Sequence, residues 1–431
     1  MKNIITANKR FIRPGIAVLI IILLVAAGVS YNYFRPENHS FFRHSGERVT
    51  FNGALLQEVY KGFSSVPYYN CTEFSFKKKP GIIRVFLTGE ASLSGWPYGH
   101  EQSVGRKLEQ ILAEYAPSVS FEVITISIAG FNSSLATEII PQLFKYQPDI
   151  IILYTGHNEF YGYKNAVSGK DVFRLNSLRK ALASAGQEDH ISYDNSSDDL
   201  EMLLPLCSEN IMIGSNKREF GLTVEHFREN IGRVISLCTD NRIPLVITEM
   251  SDNMLLPPVG IASMNEKKDQ FDADLIFNNA RMALLRDGND NAAEKLFRQS
   301  KEMDLFRIRI PEAMLSALRN SAANLAVLAP VKQEFEAFSI NHIPGTDLFA
   351  DYIHPNITGL NIIASVYTRV LINRFCGSMP VPGVRELVEK QQMREQNSRN
   401  SDQLLGMKRL ERSAAYLEDA GFSKMDQRDS L

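Results

Sequence analysis

An aspartate three residues ahead of a histidine, Asp351-Tyr352-Ile353-His354, is the arrangement in this 431-residue chain best suited to moving a proton. The carboxylate can orient the imidazole and stabilise its charged form, as a general base requires. Pro355 and Asn356-Ile357-Thr358-Gly359 follow and start a helix, so the competing role of Asp351 is as its N-cap; one residue can serve both. Far earlier lies a second polar run behind a glycine, Gly156-His157-Asn158-Glu159. Gly130 stands in Ile128-Ala129-Gly130-Phe131-Asn132, another run that ends at a glycine turn. Ester chemistry by these groups also needs a nucleophilic hydroxyl. The turn after the first long apolar run reads Thr88-Gly89-Glu90-Ala91-Ser92-Leu93-Ser94-Gly95, with alanine where the serine is expected.

These residues resemble the SGNH (GDSL-like) hydrolase family. Its first block, Gly-Asp-Ser-Leu-x-x-Gly in type form, maps onto Gly89 to Gly95, with Glu90 in the Asp slot and Ala91 in the Ser slot. Its second block supplies Gly130, its third Gly156 to Glu159, and its fifth Asp351 to His354. Each motif alone is weak; four in the correct order are much stronger. The resemblance runs from about Ile82 to Leu371 and is closest to a bacterial subgroup with a tetratricopeptide-like helical segment. Gly95-Trp96-Pro97-Tyr98, the Thr248-to-Asn253 stretch closing on Pro257-Pro258, Ile308-Arg309-Ile310-Pro311 and Ile343-Pro344-Gly345 match that subgroup.

The resemblance implies hydrolysis or transfer of carboxylic esters on carbohydrate or lipid. His354 is the expected base and Asp351 its orienter, with Asn158, the Gly130 amide and the Ala91 amide as oxyanion donors. Glu90, His157 and Glu159 are expected to line the rim, Asn253 is a further substrate-contact candidate, and Arg309 either holds an anionic or sugar group or makes a surface ion pair. Three readings stay open at Ala91. The pocket binds acylated ligands without cleaving them, as an inactive binding or scaffold protein; Ser92 or Ser94 supplies a shifted hydroxyl; or the Asp351-His354 pair activates water or an acceptor hydroxyl directly.

The elements that must position these groups alternate. Ile82–Leu87, Phe121–Ile128, Ile150–Tyr154, Pro244–Thr248 and a weaker Leu325–Leu328 read as strands. Helical spacing falls on Val104–Tyr115, Ser134–Lys145 and Val224–Cys238. This is the pattern of an α/β doubly wound parallel sheet, a three-layer flavodoxin-like sandwich whose ligands sit outside the strands' carboxyl ends. The glutamate-alanine turn, Gly130 and Gly156 to Glu159 each follow a strand directly, which puts them on that edge.

A charge-free stretch, Gly15 to Val29, continues to Phe34 and is long enough to span a bilayer. Lys2, Lys9, Arg10 and Arg13 precede it, so residues 1–14 are expected in the cytoplasm, 15–34 as a single transmembrane helix, and the rest in the periplasm or outside. A cleaved signal peptide is the alternative. Residues 35–80 read as a juxtamembrane segment, 81–376 as the hydrolase-like domain, and 377–431 as a charged helical tail. Within the domain, 163–221 is rich in Ser, Asn and Asp, a candidate lid or a disordered excursion. Residues 272–304 carry Ala280, Leu284, Gly288, Ala292, Leu296 and Ser300 at the spacing of one tetratricopeptide unit, a helical hairpin beside the site. This hairpin and the tail are the candidate surfaces for a protein partner. A net charge of −2 gives no sign of nucleic-acid binding, and Cys71, Cys207, Cys238 and Cys376 lack metal-ligand spacing, so neither metal nor cofactor is expected. One or two disulfides fit an oxidising compartment.

Overall fold

Ile150–Tyr154 is apolar apart from its final hydroxyl, and such a run is stable in the middle of a sheet covered on both faces. The computed structural model, which describes residues 40–59, 69–160, 163, 213–259, 267–286, 288, 290–377 and 379–395, makes it strand β7, with all five residues buried. Around it lie β3 (Tyr69–Cys71), β5 (Ile82–Gly89), β6 (Ser120–Ile128), β8 (Leu245–Thr248) and β9 (Val327–Ala329). The sheet order is β3-β6-β5-β7-β8-β9, parallel except that β3 pairs antiparallel with β6 at one edge. β5 therefore stands between β6 and β7, where the strand order reverses and a crevice opens beyond the carboxyl ends. The edge strand β9 starts two residues later than expected, leaving Leu325 61% exposed before it.

Helix α2 (Val104–Tyr115) packs on α9 (Ile357–Phe375), while α4 (Arg218–Asp240) packs on α3 (Ser133–Leu143) and α7 (Glu312–Ala322). Their apolar faces and both faces of the sheet form one continuous core. Arg84 is fully buried inside β5 because its guanidinium is matched there: Nε donates to Glu122 at 2.6 Å and Nη1 to the Tyr146 carbonyl at 2.8 Å. A buried cation without such partners would be strongly destabilising.

The segment before the first parallel strand has structure of its own. β1 (Phe42–Ser45), β2 (Arg48–Phe51) and β4 (Phe74–Ser75) form a small antiparallel sheet, followed within it by the short helix α1 (Gly53–Val59). Phe42 and Phe74 set their rings edge-on to Tyr146, with centroids 5.4 and 5.0 Å away, and join the main core.

The hairpin forms from α5 (Lys267–Leu285) and α6 (Asp290–Met303). Its buried register is Phe277, Ala280 and Ala283 against Ala293, Phe297 and Ser300, so the expected Ala292 and Leu296 are displaced by one position and only partly buried. Met254 and Ile343 complete this second core and tie the hairpin to the loops of the sheet's carboxyl edge.

Helix α8 (Val331–Phe338) follows β9, and α10 (Val384–Glu395) begins the tail. The first helix of the charged tail packs onto the domain. Val384, Leu387 and Val388 recur at helical spacing and enter the main core. Lys107, 3% exposed, ion-pairs with Glu395, which also accepts from Asn361 at 3.1 Å. The span expected at 15–34, most of the 163–221 insertion and residues 396–431 of the tail lie outside the described residues. Among the described residues, no helix is long and apolar enough to cross a membrane. Cys71, Cys238 and Cys376 are free thiols, while Cys207 lies outside the described residues.

Candidate active site

Strand β5 ends at Gly89, where only glycine fits because a Cβ would run into the Tyr154 carbonyl oxygen at the end of β7. The chain then turns through a 3-10 segment, Ala91–Ser94, closed by Ser94 Oγ donating to the Ala91 carbonyl at 2.5 Å. Ala91 is 3% exposed. Successive side chains on a 3-10 turn point roughly 120° apart. Ser92 accordingly faces elsewhere: its Oγ is buried beside the Tyr154 hydroxyl and makes no well-formed hydrogen bond.

The residues expected on the rim are instead built into the walls. Glu90 Oε1 accepts from the backbone amides of Gly156 at 2.7 Å and His157 at 2.9 Å, clamping the β5 turn to the loop after β7. Burial pushes its carboxyl well above the ordinary range, against the pull of those amides. Glu159 accepts from the Ser133 amide at 2.8 Å and its hydroxyl at 2.7 Å, so it sits at the N-terminus of α3, where a carboxylate is favoured. Asn158 Nδ2 donates to the Phe131 carbonyl at 3.1 Å, beside Gly130, whose φ of 69° requires glycine's freedom. His157 is buried, its Nδ1 accepting from the Ile310 amide at 3.2 Å. Glu90, His157 and Glu159 were legible as site residues by position, but not as structural groups, since their partners come from other loops.

Asp351 and His354 meet as a side-chain pair. Asp351 Oδ2 lies 2.7 Å from His354 Nδ1, and Oδ1 accepts the amides of Ile353 at 2.9 Å and His354 at 2.8 Å. Burial alone would raise the aspartate's pKa; the facing imidazole and these hydrogen bonds more than offset it and hold it below its ordinary value. An ionised carboxylate only accepts, so Nδ1 carries the hydrogen and the lone pair lies on Nε2, the atom a base uses. The helix has its own N-cap, Asn356, which accepts from Gly359 at 3.1 Å. Asp351 is thus the histidine's partner rather than the cap.

Two further expectations are corrected. Asn253 is fully buried, and its side chain donates to the Asp351 carbonyl at 3.1 Å while its amide donates to the Tyr352 carbonyl at 3.0 Å. Arg309 is neither a substrate anchor nor a surface ion pair. It is 4% exposed, pairs with Asp304 at 3.0 Å and donates to the carbonyls of Asn253 and Leu256, each at 3.1 Å. Both residues brace the turn that carries the Asp-His pair.

Trp96 was missed as a site residue. It is 1% exposed and its ring lies 4.3 Å from that of His354, centroid to centroid, linking the turn at Ala91 to the histidine. Its membership of the Gly-Trp-Pro-Tyr motif was the available signal. Lys301 was missed as well: it reaches from α6 to Asp252 at 2.5 Å, in the loop after β8.

The glutamate-alanine turn, the Gly156-to-Glu159 loop and the Asp351-His354 pair come together at the switch point of this sheet, the arrangement that the resemblance to SGNH hydrolases implies. Solved structures similar to the chain include an acetyl xylan esterase, AlAXEase, at 12% identity and TM-score 0.35, covering 67% of this chain and 100% of that one. TesA is similar at 12% and 0.35, covering 67% and 97%, and a lipase/acylhydrolase from Enterococcus faecalis at 12% and 0.34, covering 70% and 98%. At such scores the likeness adds no argument to the motif geometry. No family model and no curated protein matches the chain.

Glu159 also makes a pH prediction. Burial, working against hydrogen bonds from Ser133 and Thr155, pushes its carboxyl up from 4.5 to about 7. The folded state then holds that proton more tightly than the unfolded chain does. The group's contribution to stability is full below about pH 4.5 and is lost as pH rises to about 7. Glu159→Gln keeps the shape without the titration and is expected to flatten this fall by on the order of 2–3 kcal/mol. Denaturant midpoints of parent and variant at both ends of the window measure it; identical slopes would clear Glu159 as the cause.

Proposed function

We propose that this chain is an SGNH-type protein of the cell envelope that binds acylated carbohydrate or lipid, and that ordinary serine catalysis is lost at Ala91. The observation that carries this reading is the hydrogen-bonded, buried Asp351-His354 pair beside a turn whose nucleophile position has no hydroxyl. A structural role alone does not need the aspartate to orient the imidazole, because Asn356 already caps the helix. Turnover left to such a site is hydrolysis or acyl transfer by direct attack. His354 Nε2 takes the proton of a water or acceptor hydroxyl as its oxygen bonds to the ester carbonyl carbon. The Gly130 and Ala91 amides and Asn158 receive the oxyanion, and the departing alkoxide regains the proton as its bond breaks. The shifted-serine reading is disfavoured by Ser92 facing Tyr154. An aryl-ester assay on the parent and Ala91→Ser chains tests the proposal.

In the same proposal residues 15–34 anchor this domain in the membrane as a single helix, as in the bacterial tetratricopeptide-bearing subgroup that the sequence resembles. The support is the basic flank before an uncharged stretch of spanning length. An alkaline-phosphatase fusion after residue 60 is expected to be active; an inactive fusion alongside an active cytoplasmic reporter at the same point would contradict the exported topology.

A further inference from the structure

Glu395, the last residue of α10, reaches two helices that start on either side of the site. Its carboxylate ion-pairs with Lys107, near the start of α2, and accepts from Asn361 Nδ2, near the start of α9, at 3.1 Å. Helix α2 follows the turn at Ala91 and α9 follows His354, so one carboxylate ties together the two stretches of chain that meet in the site. Lys107 is 3% exposed, and an ammonium so placed needs partners in place of water. The same ammonium donates to Gln102 Oε1 at 2.8 Å, in the 3-10 turn His100–Gln102 just ahead of α2.

From Gln102 the contacts continue to the site through the main chain. Its amide donates to the Gly99 carbonyl at 3.0 Å, and the amides of Tyr98 and Gly99 donate to the Gly95 carbonyl at 2.7 and 3.0 Å. Gly95 lies so close to this backbone that a Cβ on it would come within 2.7 Å of the Gly99 oxygen, the Gln102 carbonyl carbon and the Ser103 nitrogen. Gly95 closes the Ala91–Ser94 turn, and Trp96 beside it sets its ring 4.3 Å from that of His354. Close-packed backbone transmits a displacement rather than absorbing it, so a shift at 99–103 reaches both the Ala91 turn and the histidine's neighbour. We infer that Glu395 is a positioning residue for the site: through Lys107 and Gln102 it fixes the 95–103 loop, which holds the Ala91 turn and Trp96 against His354. It acts through these residues and is not itself a catalytic group. The inference rests on the proposed function only for the location of the site.

Trp96 is the only tryptophan in the chain and is 1% exposed, so its emission reports this loop directly. The full chain is titrated with acrylamide, and the quenching constant is read with a thermal melt alongside. Gln102→Ala cuts the last link and leaves the Lys107–Glu395 pair whole. Lys107→Met combined with Glu395→Met removes the pair without stranding a buried charge, an exchange that buried pairs often tolerate. Both variants are expected to melt near the parent's temperature while quenching of Trp96 rises at least about twofold, as the loop opens locally. In the Ala91→Ser background the same changes lower kcat for the aryl ester by about ten- to a hundredfold with KM within about threefold, because the reacting groups are displaced and the substrate contacts are not. A folded variant of either kind whose Trp96 quenches as the parent's does overturns the inference and makes the pair a stabilising contact only. An unchanged kcat in an active Ala91→Ser chain overturns it too. An Ala91→Ser chain without turnover counts against the proposed function alone, because the fluorescence reads the loop whether or not ester is cleaved.

Discussion

Ala91→Ser raises hydrolysis of a short-chain aryl ester by at least about a thousandfold over a nearly inert parent. The change adds one oxygen to an existing Cβ at the start of the 3-10 turn, in a position 3% exposed, and leaves the clamp from Glu90 to Gly156 and His157 untouched. The base is already oriented, since Asp351 holds His354 Nδ1 at 2.7 Å. Covalent catalysis is therefore restored without any new binding energy having to be found. Ser92→Ala in the parent is the control. A brisk parent that Ser92→Ala silences makes Ser92 the nucleophile. A brisk parent indifferent to Ser92→Ala but silenced by His354→Ala leaves direct activation as the working mechanism.

The second large effect is expected from Asp351→Asn in the Ala91→Ser background, a fall in kcat of about 10³–10⁴ with the fold intact. Asparagine keeps an oxygen for the Ile353 and His354 amides, so the turn is preserved. Its amide cannot accept the Nδ1 hydrogen as a carboxylate does, which favours the wrong tautomer and withdraws the charge that stabilises the imidazolium. Steady-state rates with a thermal melt alongside separate the two effects. A loss of less than about tenfold with an unchanged melt would mean that Asp351 does not set the histidine's state.

The parts of this molecule that sequence reveals are those governed by local pattern. The continuous apolar run at Ile150–Tyr154 and the helical spacing of Val104–Tyr115 match β7 and α2 residue for residue. Asp351 and His354 are three residues apart and meet within one turn. Position along the chain also placed Glu90, Gly130 and Asn158 on one sheet edge. What stayed hidden depends on partners distant in sequence. Arg309 reads as surface because the carbonyls of Asn253 and Leu256 that bury its guanidinium belong to a loop more than fifty residues earlier. Glu90 reads as rim because its amide donors lie on Gly156 and His157. The tail reads only as a charged helical extension because the groups that fix α10, among them Lys107 and Asn361, lie on α2 and α9. In the hairpin, the one-residue error in register arose because Leu296 and Phe297 are both apolar, and only packing against Phe277, at 5.3 Å between rings, selects Phe297.

The central claim is that the site is preorganised around a missing hydroxyl. Intact-protein mass after treatment with a fluorophosphonate tests it most directly, because that reagent phosphonylates a serine only where a base and oxyanion donors activate it. The prediction is a single adduct on the Ala91→Ser chain, mapping to position 91 and lost on His354→Ala, with the parent unlabelled. A parent that labels at Ser92, or a folded Ala91→Ser chain that takes no adduct, would contradict it.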